Sequence, residues 1–203
     1  MHRTGDASGG NKMKRVAFFM IVVIALAVGV SAQAVAIGGK LDNFSLADSE
    51  GKTRAFADLK GTSGTVFIFV SAQCPVVRGY NERMNQIAMD YKAKGINVVG
   101  VNANVTESAE TVMQHAALTY KFPVLVDRQG MLADKLGASH TPEAYFLDSK
   151  NVLVYHGAID NDRSGRNVTE SYLKSAFDAS LAGKKIDRTF VEAFGCSISR
   201  SAN

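Results

Sequence analysis

Residues 65–84 read TVFIFVSAQCPVVRGYNERM. The first six form an unbroken apolar run rich in β-branched and aromatic residues, the pattern of a strand buried on both faces. Val77, Tyr80, Met84, Ile87 and Tyr91 then recur at alternating steps of three and four, which marks one face of a helix that Gly95 ends. Cys74 stands at the junction, with Pro75 in the first helical turn, where a missing N–H costs nothing. The free N–H groups and positive dipole end of a helix start favour thiolate over thiol. Val77 occupies the place where a second cysteine would complete a closely spaced dithiol. The commonest fate of a free cysteine is a small buried hydrophobe. The helix-start position argues instead for a reactive one.

The elements around this junction repeat its logic. Residues 41–61 alternate Phe44 and Leu46 around the turn Ser49-Glu50-Gly51-Lys52, a short hairpin leading in. INVVGV (96–101) is a second buried strand. Residues 106–120 place Val112, Met113, Ala116 and Tyr120 on a helical stripe, with Thr106 as the expected cap. FPVLV (122–126) is a third strand, Asp127 to Gly130 a turn, MLADKLG (131–137) a short helix and EAYFL (143–147) a fourth strand. That strand pairs antiparallel with VLVYHGAI (152–159) across the DSKN turn. A last helix spans 168–182, where Asn167 and Glu170 stand at capping-box spacing. The order predicts an α/β fold: a mixed central sheet, helices on both faces and an N-terminal β-hairpin extension.

The first 36 residues read differently. Lys12, Lys14 and Arg15 precede fifteen apolar residues, Val16 to Val30, and small-residue cleavage sites follow at Ala32, Ala34 or Ala36. This is the layout of a secretory signal peptide, with either Met1 or Met13 as the start. The run is short against the roughly 20 residues of a membrane span, though an uncleaved anchor is the alternative. The expected organisation is a signal peptide (1–36), one domain (37–188) and a tail (189–203), in a periplasmic or secreted protein. The leader carries four of the basic residues and one acid, so the formal charge of +4 falls to +1 without it. That balance gives no argument for a nucleic-acid partner. Two NVT triplets, at 104–106 and 167–169, match a glycosylation sequon but coincide with helix starts, where Asn and Thr are ordinary caps.

Further site candidates follow from position. The strand before Cys74 is expected to be central, which puts the thiol at the carboxyl end of a sheet strand, where ligands of open α/β sheets collect. Ser71 is placed to donate a hydrogen bond to the thiolate, and Arg78, one turn on, to add positive charge. Thr141-Pro142 opens a strand, and a cis bond there sets Pro142 facing the thiol. His140 is a solvated loop residue or a base, and Glu143 either polarises the pocket or lies on an exposed edge. No His and Cys cluster has metal-ligand spacing. The second cysteine, Cys196, lies in the tail segment FGCSISR. An even count in an exported chain permits one disulfide. Three roles stay open for Cys196: exchange or resolving partner of Cys74, permanent structural bridge, or bystander.

Residues 41–183 resemble thioredoxin-fold proteins of the redoxin branch, on SAQCPVVRGYNERM, FPVLVDRQGMLADKLGASHTPEAYFLD and VLVYHGAID. CPVVRGYNERM with the terminal FGCSISR is similar to peroxiredoxin-like proteins of the alkyl hydroperoxide reductase C and thiol-specific antioxidant type. The resemblance implies a thioredoxin-like fold and a thiol-dependent oxidoreductase with no cofactor. Cys74 would reduce a hydroperoxide, Cys196 would resolve it from the same chain or from a second subunit of a homodimer, and an external thioredoxin-like donor would restore both. Ser71, Arg78 and the Thr141 backbone would stabilise the thiolate, and Pro142 would shape the groove. The alternatives are thiol–disulfide exchange with an exported protein partner, or a non-catalytic thioredoxin-fold binding module. Three positions depart from the relatives. Val77 removes the C-x-x-C of thioredoxins, and Phe67 stands where peroxiredoxins carry a proline. Thr141-Pro142 stands where they carry an arginine that helps hold the peroxide, a place Arg78 or Arg83 is left to take.

Overall fold

The computed structural model describes residues 33–200. The signal-peptide reading covers residues 1–36, of which 1–32 lie outside the described part; within the rest, Val35 donates its N–H to the Lys135 carbonyl at 2.8 Å and packs against the domain. Among the described residues no helix is long and apolar enough to cross a membrane.

An eight-stranded mixed sheet organises the chain. Its core is three parallel strands, β3 (Gly64–Phe69), β4 (Ile96–Asn102) and β5 (Val124–Val126). The hairpin of β1 (Ser45–Asp48) and β2 (Thr53–Ala55) adds antiparallel to β5. On the other side β7 (Glu143–Asp148) runs antiparallel to β3, followed by β8 (Leu153–Gly157) and then β9 (Phe190–Val191), parallel to β8. β3 is therefore central, as its unbroken apolar run requires.

Helices cover both faces. Val66 and Ile68 point into one core with α2 (Pro75–Lys92), α3 (Ala109–Thr119) and α5 (Tyr172–Leu181). Phe67 and Phe69 point into the other with α1 (Phe56–Leu59) and α4 (Met131–Leu136). The period-2 alternation of a strand thus divides one apolar run between two cores. This is the α/β architecture expected from the order of elements, and it is the thioredoxin-like fold that the resemblance implies.

Two helix starts differ from the expected ones. α3 is capped by Ser108, whose Oγ accepts the Thr111 N–H at 3.0 Å, rather than by Thr106. α5 begins at Tyr172, because Asn161 Oδ1 accepts the N–H groups of Thr169 and Glu170 and holds them in the preceding loop. The Asn167/Glu170 spacing therefore caps no helix.

The segment after Thr189 packs back on the sheet. β9 lies beside β8, and Gly157 permits this, since a Cβ there would fall 1.7 Å from the Val191 carbonyl oxygen. A two-residue strand, β10 (Cys196–Ser197), then pairs antiparallel with β6 (His140–Thr141).

Candidate active site

Cys74 caps α2 from an extended conformation (φ −77°, ψ 116°), with Pro75 as the first helical residue. Its N–H is held by Ser71 Oγ at 3.1 Å, which fixes the corner between β3 and α2. The side chain is 2 % exposed.

The partner of Cys74 is Cys196. The two form a disulfide across 122 residues, with Cα atoms 6.0 Å apart, within the range a disulfide spans. The bridge closes within one chain, and the bystander role for Cys196 is removed. Cys196 lies opposite Thr141 and Ser197 opposite His140 in the β10–β6 ladder. The ladder continues outward: the Ile198 N–H donates to the Ser139 carbonyl at 2.9 Å and the Ser199 N–H to Asn104 Oδ1 at 2.9 Å. The Asn104 sequon reading is thereby replaced, because this side chain is buried and holds the tail.

The Thr141–Pro142 peptide is cis, and both residues are buried beside the thiol. The Thr141 carbonyl oxygen lies 3.3 Å from Cys74 Sγ. This corrects the expected role of the Thr141 backbone: an acceptor facing the sulfur takes a hydrogen bond from a thiol and offers nothing to a thiolate. Glu143 is buried rather than on an edge. Its Oε2 accepts the N–H groups of Ser139 and His140 at 2.8 and 3.0 Å, and its Oε1 accepts the Tyr145 hydroxyl at 2.9 Å. Glu143 thus ties down the loop that presents Pro142. His140 turns its Nδ1 to Ser139 Oγ at 2.8 Å.

Ser71 also departs from expectation. Its hydroxyl donates to Glu107 Oε1 rather than to the sulfur. Glu107 is 1 % exposed and collects three further donors: Ala72 N–H (3.0 Å), Gln73 N–H (3.2 Å) and Asn102 Nδ2 (2.7 Å). Burial pushes the carboxyl up, but Ser71, Ala72, Asn102 and Gln73 together outweigh it and hold Glu107 below the usual carboxylate range. No local pattern marks this residue, since its partners, apart from Asn102, lie on the Cys74 corner 34–36 residues away.

The two arginines do not reach the sulfur. Arg78 is exposed and makes no side-chain hydrogen bond or ion pair among the described residues. Arg83 is committed elsewhere: its Nη1 donates to Asp160 Oδ2 at 2.5 Å and to the Asp162 carbonyl at 2.8 Å, while Nη2 donates to the Arg163 carbonyl. Tyr80 donates to the other Asp160 oxygen at 2.8 Å, and the Arg83 guanidinium stacks over its ring. Tyr80 and Arg83 of the motif therefore clamp the 160–163 loop to α2.

A thioredoxin-like sheet that sets a bridged cysteine pair against a cis-proline defines a thiol-based oxidoreductase. Residues 37–156 match the AhpC/TSA family, and the chain belongs to it. It is similar to the thiol-disulfide oxidoreductase ResA of Bacillus thuringiensis subsp. konkukian, 27 % identical over 175 residues that cover 80 % of this chain and 97 % of that protein. The thiol:disulfide interchange protein DsbE of Yersinia pestis is 32 % identical over 130 residues, 63 % of this chain and 67 % of that protein. Among solved structures, a hypothetical protein of Sinorhizobium meliloti superimposes with a TM-score of 0.76 at 32 % identity, covering 84 % of this chain and 98 % of that one.

Proposed function

We propose that the protein is an exported thiol–disulfide exchange enzyme in which Cys74 is the nucleophile and Cys196 its exchange partner. The observation that carries this reading is the Cys74–Cys196 disulfide, laid along a strand paired to the residues before a cis-proline. In the reduced protein the Cys74 thiolate attacks one sulfur of a partner disulfide. That S–S bond breaks, the leaving sulfur takes a proton, and a mixed disulfide remains. The Cys196 thiolate then attacks Cys74 Sγ, the partner leaves as a dithiol and the Cys74–Cys196 bond closes. Two electrons have passed to the partner, and an external dithiol donor of thioredoxin-like chemistry returns the protein to its starting state.

Exchange is favoured over hydroperoxide reduction by what surrounds the sulfur. The group facing Sγ is the Thr141 carbonyl, Arg83 is tied to Asp160, and Arg78 points to solvent. The relatives named for disulfide exchange cover most of the chain. Export rests on the leader pattern of residues 1–36 and on the disulfide itself, which persists in oxidising compartments. A Cys196→Ser protein should stop at the mixed disulfide and accumulate a partner adduct that dithiothreitol releases, while Cys74→Ser accumulates none. Equal adducts on both variants, or none on Cys196→Ser, would contradict the assignment.

A further inference from the structure

The tail strand covers the nucleophile it is bonded to. Cys74 is 2 % exposed with the strand in place, and β10 occupies the pairing edge of β6 beside the cis-proline. An incoming protein segment needs that same edge, because an extended chain gains affinity there by adding a strand. The tail and a partner therefore cannot pair with β6 together.

How the tail fits that edge is specified position by position. Phe194 and Cys196 pack against the core that α2 covers, and Ile198 is buried in the other. Phe194 packs against the core that holds Tyr80, with ring centroids 6.4 Å apart, and the Arg163 guanidinium lies 5.0 Å from the Phe194 ring centroid. Ile198 is 7 % exposed and enters the opposite core with Leu132 and Leu136. Between Phe194 and Cys196 only glycine fits: a Cβ on residue 195 would lie 2.0 Å from the Thr141 carbonyl oxygen and 2.6 Å from its carbon. Ser197 is exposed and reads nothing.

We propose that residues 193–199 are a tethered likeness of the substrate. The partner presents its reactive cysteine in an extended segment with glycine immediately before it, an aromatic residue before that and an aliphatic residue two places after it. This inference rests on the exchange reading and adds the recognition rule and the occupant. Reduction frees the tail strand and uncovers Cys74. The partner segment pairs with β6 and forms the mixed disulfide. Attack by Cys196 expels it, and the tail strand returns to the vacated edge.

The test uses the full-length Cys196→Ser protein with Cys74 converted to its thionitrobenzoate mixed disulfide. Three thiol peptides compete to release the coloured thiolate: AFGCSIS, the same peptide with valine for the glycine, and the same peptide with aspartate for the isoleucine. Mercaptoethanol serves as a small-thiol control. Each altered peptide should react at least about tenfold more slowly than AFGCSIS, as expected when a buried aliphatic contact or a close backbone approach is lost. A second protein, Cys196→Ser with Ile198→Asp, should react faster with AFGCSIS, because its own tail competes less well for the edge. Equal rates for all three peptides would overturn the recognition rule and leave the exchange chemistry standing. Failure of mercaptoethanol as well as the peptides to release the thiolate would overturn the exchange reading itself.

Discussion

Ser71 and Glu107 are joined by a buried hydrogen bond beneath the nucleophile, and the same Ser71 oxygen accepts the Cys74 N–H. The corner that presents the thiol is therefore built on a carboxylate, which the helix start alone did not reveal. An ionised Glu107 satisfies four donors. A protonated one must give up an acceptor site.

The first prediction concerns pH. Glu107 is held below its ordinary range in the folded chain, whereas an unfolded glutamate titrates near 4.3. Its contribution to stability is thus complete above that value and lost as the pH falls through the lower folded one. Urea melts of wild type and Glu107→Gln between pH 3 and 7 should show the variant destabilised by about 2 kcal/mol at neutral pH, the usual penalty for stranded buried donors. The gap should narrow below pH 4. A pH-independent gap would show that the carboxylate charge is not what the corner uses.

The second separates a clamp from an oxidant-binding role. Asp160 is 4 % exposed and depends on Arg83 and Tyr80. Arg83→Ala should destabilise the chain by about 3 kcal/mol, because it leaves a buried carboxylate short of its cation. The rate at which folded protein reacts through Cys74 should not change. Undiminished stability with a loss of thiol reactivity would instead place Arg83 at the sulfur.

The third tests the close approach at residue 195. Gly195→Val puts side-chain atoms where the Thr141 carbonyl stands, so the tail strand cannot seat. Formation of the Cys74–Cys196 disulfide in a glutathione redox buffer should become at least about tenfold less favourable, equivalent to about 1.4 kcal/mol. An unchanged equilibrium would mean that β10 pairing plays no part in delivering Cys196.

The fourth distinguishes a working pair from a structural staple. A bridge across 122 residues stabilises the folded chain by at most about 5 kcal/mol in the chain-entropy account. The sheet has two extensive cores of its own, so the reduced protein should remain cooperatively folded, with a lower urea midpoint. Near-ultraviolet circular dichroism of the reduced form should keep its native signal. Loss of that signal on reduction would identify the bridge as structural.

The legible parts of the sequence were those governed by local pattern. The β3 run, the helix stripe from Val77 to Tyr91 and the proline at a strand entrance all follow from spacing and backbone restriction, and each stands in the structure. Glu107 was hidden because its role depends on contacts to the Cys74 corner, and Thr106 beside it offered a competing cap signal. Arg83 was misleading for the opposite reason: the arginine missing from the strand entrance made it a candidate, but Asp160, 77 residues on, draws it away. The tail strand was the least legible element. Two residues carry no periodicity, and what holds β10 is a ladder to residues 55 and 57 positions earlier.

In the proposed mechanism Cys74 and Cys196 exchange with disulfides rather than respond to peroxides. The direct measurement is the rate at which reduced full-length protein closes its Cys74–Cys196 disulfide, followed by intact mass after alkylation. One sample receives one equivalent of oxidised AFGCSIS dimer and the other one equivalent of hydrogen peroxide. Exchange chemistry predicts rapid closure with the peptide disulfide and slow closure with peroxide, at the pace of an ordinary cysteine. Faster closure with peroxide, through a sulfenic acid trapped in Cys196→Ser, would contradict it.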